Sequence, residues 1–204
     1  IKTFKVGSQL FTACGPEVVN VINQKGAKVF LDLKFFDIPN TVAHAVRNAT
    51  RLKVKMLTLH ILGDEEMIKA AVFAARDEAK RSGVKRPLLI GVTVLTSKET
   101  KSSDVLTLAR IGIECGLDGV VCSAQEVKML KEKIKRKFII VTPGIRPRGS
   151  SVNDQKRTAT ISEAVKAGSS FLVVGRPILD AKDQNAAARE MAGEIDDRRD
   201  KRPN

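Results

Sequence analysis

The chain has 204 residues and a mass of 22.2 kDa, the size of one domain or at most two small ones. Hydrophobic residues make up 43% and charged residues 29%, a balance that supports a packed core and argues against a disordered chain. Lys and Arg number 36 against 23 Asp and Glu, and the net charge of +13 favours an anionic partner, either a phosphorylated small molecule or nucleic acid.

In chain order, the first strand-sized apolar run is residues 3–6, followed by a stretch of helical period at 9–25 that closes on Gly26. A second run at 28–33 leads into a helix at 39–52 with Pro39 in its first turn. The run at 56–60 precedes a helix at 64–82, where Met67, Ile68, Ala71, Val72, Ala75 and Ala79 share one face and charged residues fill the other. The same alternation continues as strand 88–95, helix 104–115, strand 119–123, helix 125–135, strand 138–142, helix 162–167, strand 171–175 and helix 183–195. Residues 196–204 are nearly all polar and read as a frayed tail.

Strands that are almost continuously apolar are strands buried on both faces, and strand–helix units in series imply a parallel sheet with crossover helices. The expected fold is α/β, one domain over residues 1–204. An open doubly wound sheet is one solution. A closed TIM-type barrel of eight strand–helix units, lacking its first unit, fits better because the chain starts abruptly before a strand.

Cys14, Cys115 and Cys122 form no CxxC pair, and His44 and His60 are the only histidines, so no zinc cluster is expected. Free thiols in apolar settings point to a reducing cytoplasm. No apolar run approaches the roughly 18 residues of a membrane span, and no secretory leader is evident. Trp and Tyr are absent and the eight Phe sit mostly in apolar runs, which gives a stacking platform for single-stranded nucleic acid little support. The basic excess is scattered over polar helix faces and reads chiefly as solvated surface.

Barrels of this kind place their chemistry where the strands end. Three such places carry polar residues. In Leu31-Asp32-Leu33-Lys34-Phe35-Phe36-Asp37-Ile38-Pro39-Asn40-Thr41, strand alternation points Asp32 and Lys34 to one face. Opposite charges inside a barrel are costly unless they pair or work. Two readings stay open: a structural pair with Asp37 capping the next helix, or a working cluster that Lys5 joins from the preceding strand. The loop Thr142-Pro143-Gly144-Ile145-Arg146-Pro147-Arg148-Gly149, running on to Gln155, is either an ordinary exposed loop or an anion-gripping lid. In Val174-Gly175-Arg176-Pro177, Gly175 lets a ligand approach the backbone and Arg176 offers a fork suited to phosphate. These two loops fall where barrels commonly bind phosphate.

At these residues the chain resembles the orotidine 5′-phosphate decarboxylase family. Asp32 to Thr41 is similar to its D-x-K-x-x-D-I-P-N-T signature. The likeness extends to Lys5-Val6-Gly7, Leu95-Thr96-Ser97, the stretch from Gly116 to Glu126, Thr142 to Pro147, Asp154-Gln155 and Gly175-Arg176-Pro177-Ile178, in order along the chain. The resemblance implies a carboxy-lyase of pyrimidine biosynthesis that converts orotidine 5′-phosphate to uridine 5′-phosphate and CO₂, without cofactor or metal. It implies Lys34 as proton donor, with Asp32, Asp37 and Lys5 completing the charged array, and Gln155, Gly175 and Arg176 on the phosphate. Ile38, Thr41, Thr96, Pro143 and Arg146 complete the implied substrate site. It further implies a homodimer in which Asp37 and Thr41 serve the partner's site, with no nucleic-acid or membrane partner. There are three departures: the family's usual first strand ending in a ribose-binding Asp is absent, the connection from Ser97 to Asp104 is short, and Ile61-Leu62-Gly63-Asp64 replaces a small, glycine-rich stretch. Two other classes remain: a magnesium-dependent sugar-phosphate decarboxylase or epimerase sharing D-x-K-x-x-D, against which the 142–146 and 154–155 loop argues, and a basic nucleic-acid-binding protein.

Overall fold

The computed structural model describes residues 1–95, 100–147 and 157–200, without the side chains of 197–200. Its strands are β1 (Thr3–Gly7), β2 (Lys28–Phe35), β3 (Met56–His60), β4 (Leu88–Val92), β5 (Gly119–Val121), β6 (Ile139–Thr142) and β7 (Phe171–Leu172). They are ordered in the sheet as in the chain, and the pairings β1–β2, β2–β3, β3–β4 and β6–β7 are all parallel. This is the α/β alternation expected from the apolar runs. The chain divides into two compact units, residues 2–93 with 108–120, and residues 94–107 with 121–204 and Ile1.

The unit containing β1–β4 also holds α1 (Ser8–Cys14), α2 (Glu17–Gln24), α3 (Pro39–Arg51) and α4 (Asp64–Arg81). Val6, Val29, Leu31, Met56, Leu57, Leu59, Leu89 and Ile90 are buried on the strands, and Val42, Val46, Ile68, Ala71 and Ala75 are buried on the helices that cross between them. The single helix expected over 9–25 is two. Gly15 takes a left-handed φ of 61° and Pro16 has no N–H to donate, so the helical ladder stops and restarts at Glu17.

The stretch Ile61-Leu62-Gly63 is a single 3-10 turn at the end of β3. Ile61 is 2% exposed and fills space that two glycines leave open. A methyl group at Gly91 would lie 2.7 Å from the Ile61 side chain, and one at Gly112 would lie 2.9 Å from it. A large residue after His60 is thus accommodated by the absence of side chains opposite.

The helix α5 (Ser102–Glu114) is divided between the two units after Thr107, and the other unit holds β6 and β7 with α6 (Ala124–Lys133), α7 (Ile161–Ala167), α8 (Arg176–Leu179) and α9 (Gln184–Asp200). Its core joins Ile145, Ile161, Ala164, Val165 and Met191, with Leu172, Val174, Ile178 and Ile195 packed against them. Capping boxes start α6 at Ser123–Glu126 and α7 at Thr160–Glu163. Residues 196–200, expected as part of a frayed tail, are instead the last turns of α9. Met191 and Ile195 anchor one side of that helix to the core, and its Glu, Arg and Ala residues are good helix formers even where no apolar face marks them. Residues 201–204 lie outside the described residues. Among the described residues, no helix is long and apolar enough to cross a membrane.

Candidate active site

The charged residues gather at the C-terminal end of β2. β1 and β2 run in register with Lys5 opposite Phe30 and Gly7 opposite Asp32, which brings the Lys5 side chain alongside Asp32. Lys5 Nζ is 3.4 Å from Asp32 Oδ2, and Lys34 Nζ is 2.9 Å from Asp32 Oδ1. One carboxylate oxygen therefore faces each ammonium. Gly7 matters to this arrangement, because a Cβ there would lie 2.8 Å from Lys5 Nζ. Asp32 is largely covered, its side chain 13% exposed, whereas Lys5 and Lys34 remain 37% and 36% exposed and can meet a ligand.

The backbone at Lys34 is unusual. Its φ is 52°, in the left-handed region, which costs a residue with a Cβ on the order of 1–2 kcal/mol. The β2–β3 register shifts here: Leu31 is opposite Leu57 but Phe35 is opposite Leu59. Four residues of advance on β2 therefore match two on β3. The bulge re-aims the strand end, and Lys34 and Asp32 still meet on one side.

Thr58, on β3, was not anticipated. It is fully buried. Its Oγ1 accepts a hydrogen bond from the Lys34 backbone N–H at 2.9 Å and donates one to Asp32 Oδ1 at 3.0 Å. The only sequence signal was a lone hydroxyl residue in the apolar run Met56-Leu57-Thr58-Leu59, and Thr is an ordinary strand residue.

Asp37, Ile38 and Thr41 follow on an exposed segment, and among the described residues Asp37 makes no ion pair with the Lys5–Asp32–Lys34 array. Asp37 Oδ1 accepts from the Ile38 backbone N–H at 2.7 Å, a local turn contact at the entry to α3. Ile38 is 65% exposed, as are Phe36 and Leu62 at 60% each. The Phe36 ring rests against His60, the centroids 5.5 Å apart.

In the other unit, Pro143 and Arg146 follow β6, and Gly175 and Arg176 follow β7. Gly144, Ile145 and Arg146 are buried, so this part of the loop is not the exposed stretch considered from sequence. Arg146 Nη1 donates to the Ile145 carbonyl at 2.8 Å. Its backbone N–H bonds the Ala159 carbonyl at 2.9 Å, stitching the loop to the chain before α7. Arg176 begins the one-turn helix α8, which the sequence did not announce, with Pro177 behind it and Gly175 ahead. A Cβ at Gly175 would meet nothing within 4 Å, so this backbone opens on space. Thr96 and Gln155, both expected in the site, lie outside the described residues, as does the remainder of the loop from Arg148.

A parallel α/β chain with a Lys–Asp–Lys array at the end of its strands is arranged as (β/α)-barrel enzymes are, with the chemistry where the strands end. The family model described as orotidine 5′-phosphate decarboxylase / HUMPS family matches residues 1–191. The chain belongs to this family. It is 48% identical over 203 residues to the orotidine 5′-phosphate decarboxylase of Geobacter metallireducens, covering 94% of this chain and 84% of that protein. It is 45% identical over 205 residues to that of Moorella thermoacetica, covering 95% and 81%. The crystal structure of orotidine 5′-phosphate decarboxylase from Lactobacillus acidophilus superposes with a TM-score of 0.81 at 39% identity, covering 94% of this chain and 85% of that one. The fold class is accordingly the TIM-type (β/α) barrel.

Proposed function

We propose that this chain decarboxylates orotidine 5′-phosphate to uridine 5′-phosphate and CO₂. The observation that carries the reading is the Lys5–Asp32–Lys34 array, two cations held on one covered carboxylate, within a family whose relatives bear that activity in their names. Breaking the bond to CO₂ leaves an electron pair on the pyrimidine carbon that bore the carboxylate. A fixed ammonium beside that carbon stabilises the charge as it develops and then donates its proton there, leaving an amine that solvent reprotonates. Lys34 takes this role. Asp32 holds the Lys34 ammonium in place through the 2.9 Å contact, and Lys5 shares the same carboxylate.

Arg176, Gly175 and Gln155 take the phosphate, and Thr96, Pro143 and Arg146 line the rest of the substrate. The enzyme works as a homodimer, with Asp37 and Thr41 serving the partner's site, and Ile38 contributes to substrate binding. The exposed Phe36, Ile38 and Leu62 beside them supply apolar surface for such an interface. Free cysteines, two of them buried, fit a cytoplasmic enzyme.

The test is to add orotidine 5′-phosphate and follow loss of its ultraviolet absorbance, with and without a chelator. Turnover indifferent to the chelator is expected. Turnover abolished by it would favour the magnesium-dependent relatives, and none at all would defeat the reading. Lys34→Ala should lower kcat by more than about a thousandfold, since it removes both charge stabilisation and the proton source. Near-normal turnover of that variant at saturating substrate would remove Lys34 as the donor.

A further inference from the structure

The bulge on β2 creates a problem that Thr58 solves. Where the register shifts, the Lys34 N–H cannot find a β3 carbonyl in the regular ladder, and the Thr58 hydroxyl accepts it instead at 2.9 Å. A backbone N–H can only donate, so the hydroxyl's own proton is free to point elsewhere. It points at Asp32 Oδ1, 3.0 Å away, the same oxygen that receives Lys34 Nζ. A single hydroxyl thus ties down the left-handed backbone from which the Lys34 side chain springs and the carboxylate that the side chain's end meets. It also fixes the plane of that carboxylate, leaving Oδ2 to face Lys5. The β-branched Thr side chain, fully buried, has little rotational freedom with which to release either partner.

We infer that Thr58 is a positioning residue for the charged array, holding Asp32 and Lys34 in their working geometry without touching substrate. The kinetic part of this inference rests on the decarboxylase reading. The structural part does not, which keeps the two separable. Thr58→Val conserves shape and removes the hydroxyl, while Thr58→Ser keeps the hydroxyl and removes the methyl. In Thr58→Val, kcat should fall about 10- to 100-fold, the scale of losing hydrogen bonds to a charged group. Affinity for uridine 5′-phosphate, which lacks the departing carboxylate, should stay within about twofold, whereas general loosening of the fold would weaken it as well. Thr58→Ser should retain kcat within about threefold. Amide hydrogen exchange supplies a readout independent of turnover. The Lys34 N–H should exchange at least about tenfold faster in Thr58→Val and at the wild-type rate in Thr58→Ser.

Unchanged kcat in folded Thr58→Val, unchanged Lys34 exchange, or equal losses in the Val and Ser variants would each overturn the assignment. If Thr58→Val does not fold, Thr58→Ser decides: preserved kcat and Lys34 protection support the clamp, and loss of either defeats it. A wild-type protein that fails to turn over orotidine 5′-phosphate would defeat the decarboxylase reading, and the clamp would still stand or fall on the exchange of the Lys34 amide.

Discussion

Arg176 stands at the first position of the turn after β7, half-buried, with open space in front of Gly175. A guanidinium placed there can pair with a phosphate dianion through two parallel hydrogen bonds. Losing one charge-assisted contact costs roughly 1.5–3 kcal/mol, or about 10- to 150-fold in rate. Arg176→Ala should therefore lower kcat/KM by that factor on orotidine 5′-phosphate, and added guanidinium should restore part of it. On orotidine, which has no phosphate, the same substitution should change little. Equal losses on both substrates would mean that Arg176 serves the fold. Single residues also mark how far the sequence could be read. Asp32 and Lys34 were legible because opposite charges two apart on an apolar strand demand an explanation. Thr58 was not, because its role depends on a bulge and a positive φ at Lys34, and neither leaves a trace in residue type.

At the scale of elements, α3 and α4 are joined by an ion-pair seam. Arg47 pairs with Asp77, and Arg51 grips Glu78 through Nε at 2.8 Å and Nη2 at 3.0 Å. Ser82 Oγ adds a hydrogen bond to Glu78 at 2.5 Å. The Arg51 hydrogen bond first, then Ser82, hold the Glu78 carboxyl down to about 2, against an ordinary value of 4.5. A carboxyl depressed on folding contributes stability that is complete above its unfolded pKa and is lost as pH falls toward its folded one. Glu78→Gln should thus be less stable than wild type at pH 7, with the gap closing between about pH 4.5 and 2. Chemical unfolding of both proteins across that range would show it, and a gap independent of pH would place the effect in packing. At this scale the strands and most helices were legible from apolar period. The break between α1 and α2 was signalled by Gly15-Pro16 but overridden by a helical pattern that continues across it. The last turns of α9 were hidden because a helix end without an apolar stripe and a frayed tail share a polar composition.

For the molecule as a whole, the alternation of strand and helix was enough to reach a parallel α/β sheet with crossover helices, but it left the closed barrel and the open doubly wound sheet both possible. What the pattern of one chain cannot display is a site completed by a second copy, and Asp37 raises that question. Among the described residues its side chain hydrogen-bonds only the Ile38 N–H, a turn contact, and it lies on an exposed segment with Ile38, beside the exposed Phe36 and Leu62. If the proposed dimer seats this segment in its partner's site, Asp37→Ala and Lys34→Ala are both inactive alone but complement when mixed. In each mixed dimer one site carries both lesions and the other carries neither. Random exchange of equal amounts makes half of the dimers mixed, so activity should rise to about one quarter of wild type. Exchange can be followed by tagging one variant and recovering the other with it. Recovery near one quarter fixes Asp37 as a residue of the partner's site. Confirmed exchange without recovery means that Asp37 and Lys34 act within one protomer, and the shared site is then wrong even if the dimer is real.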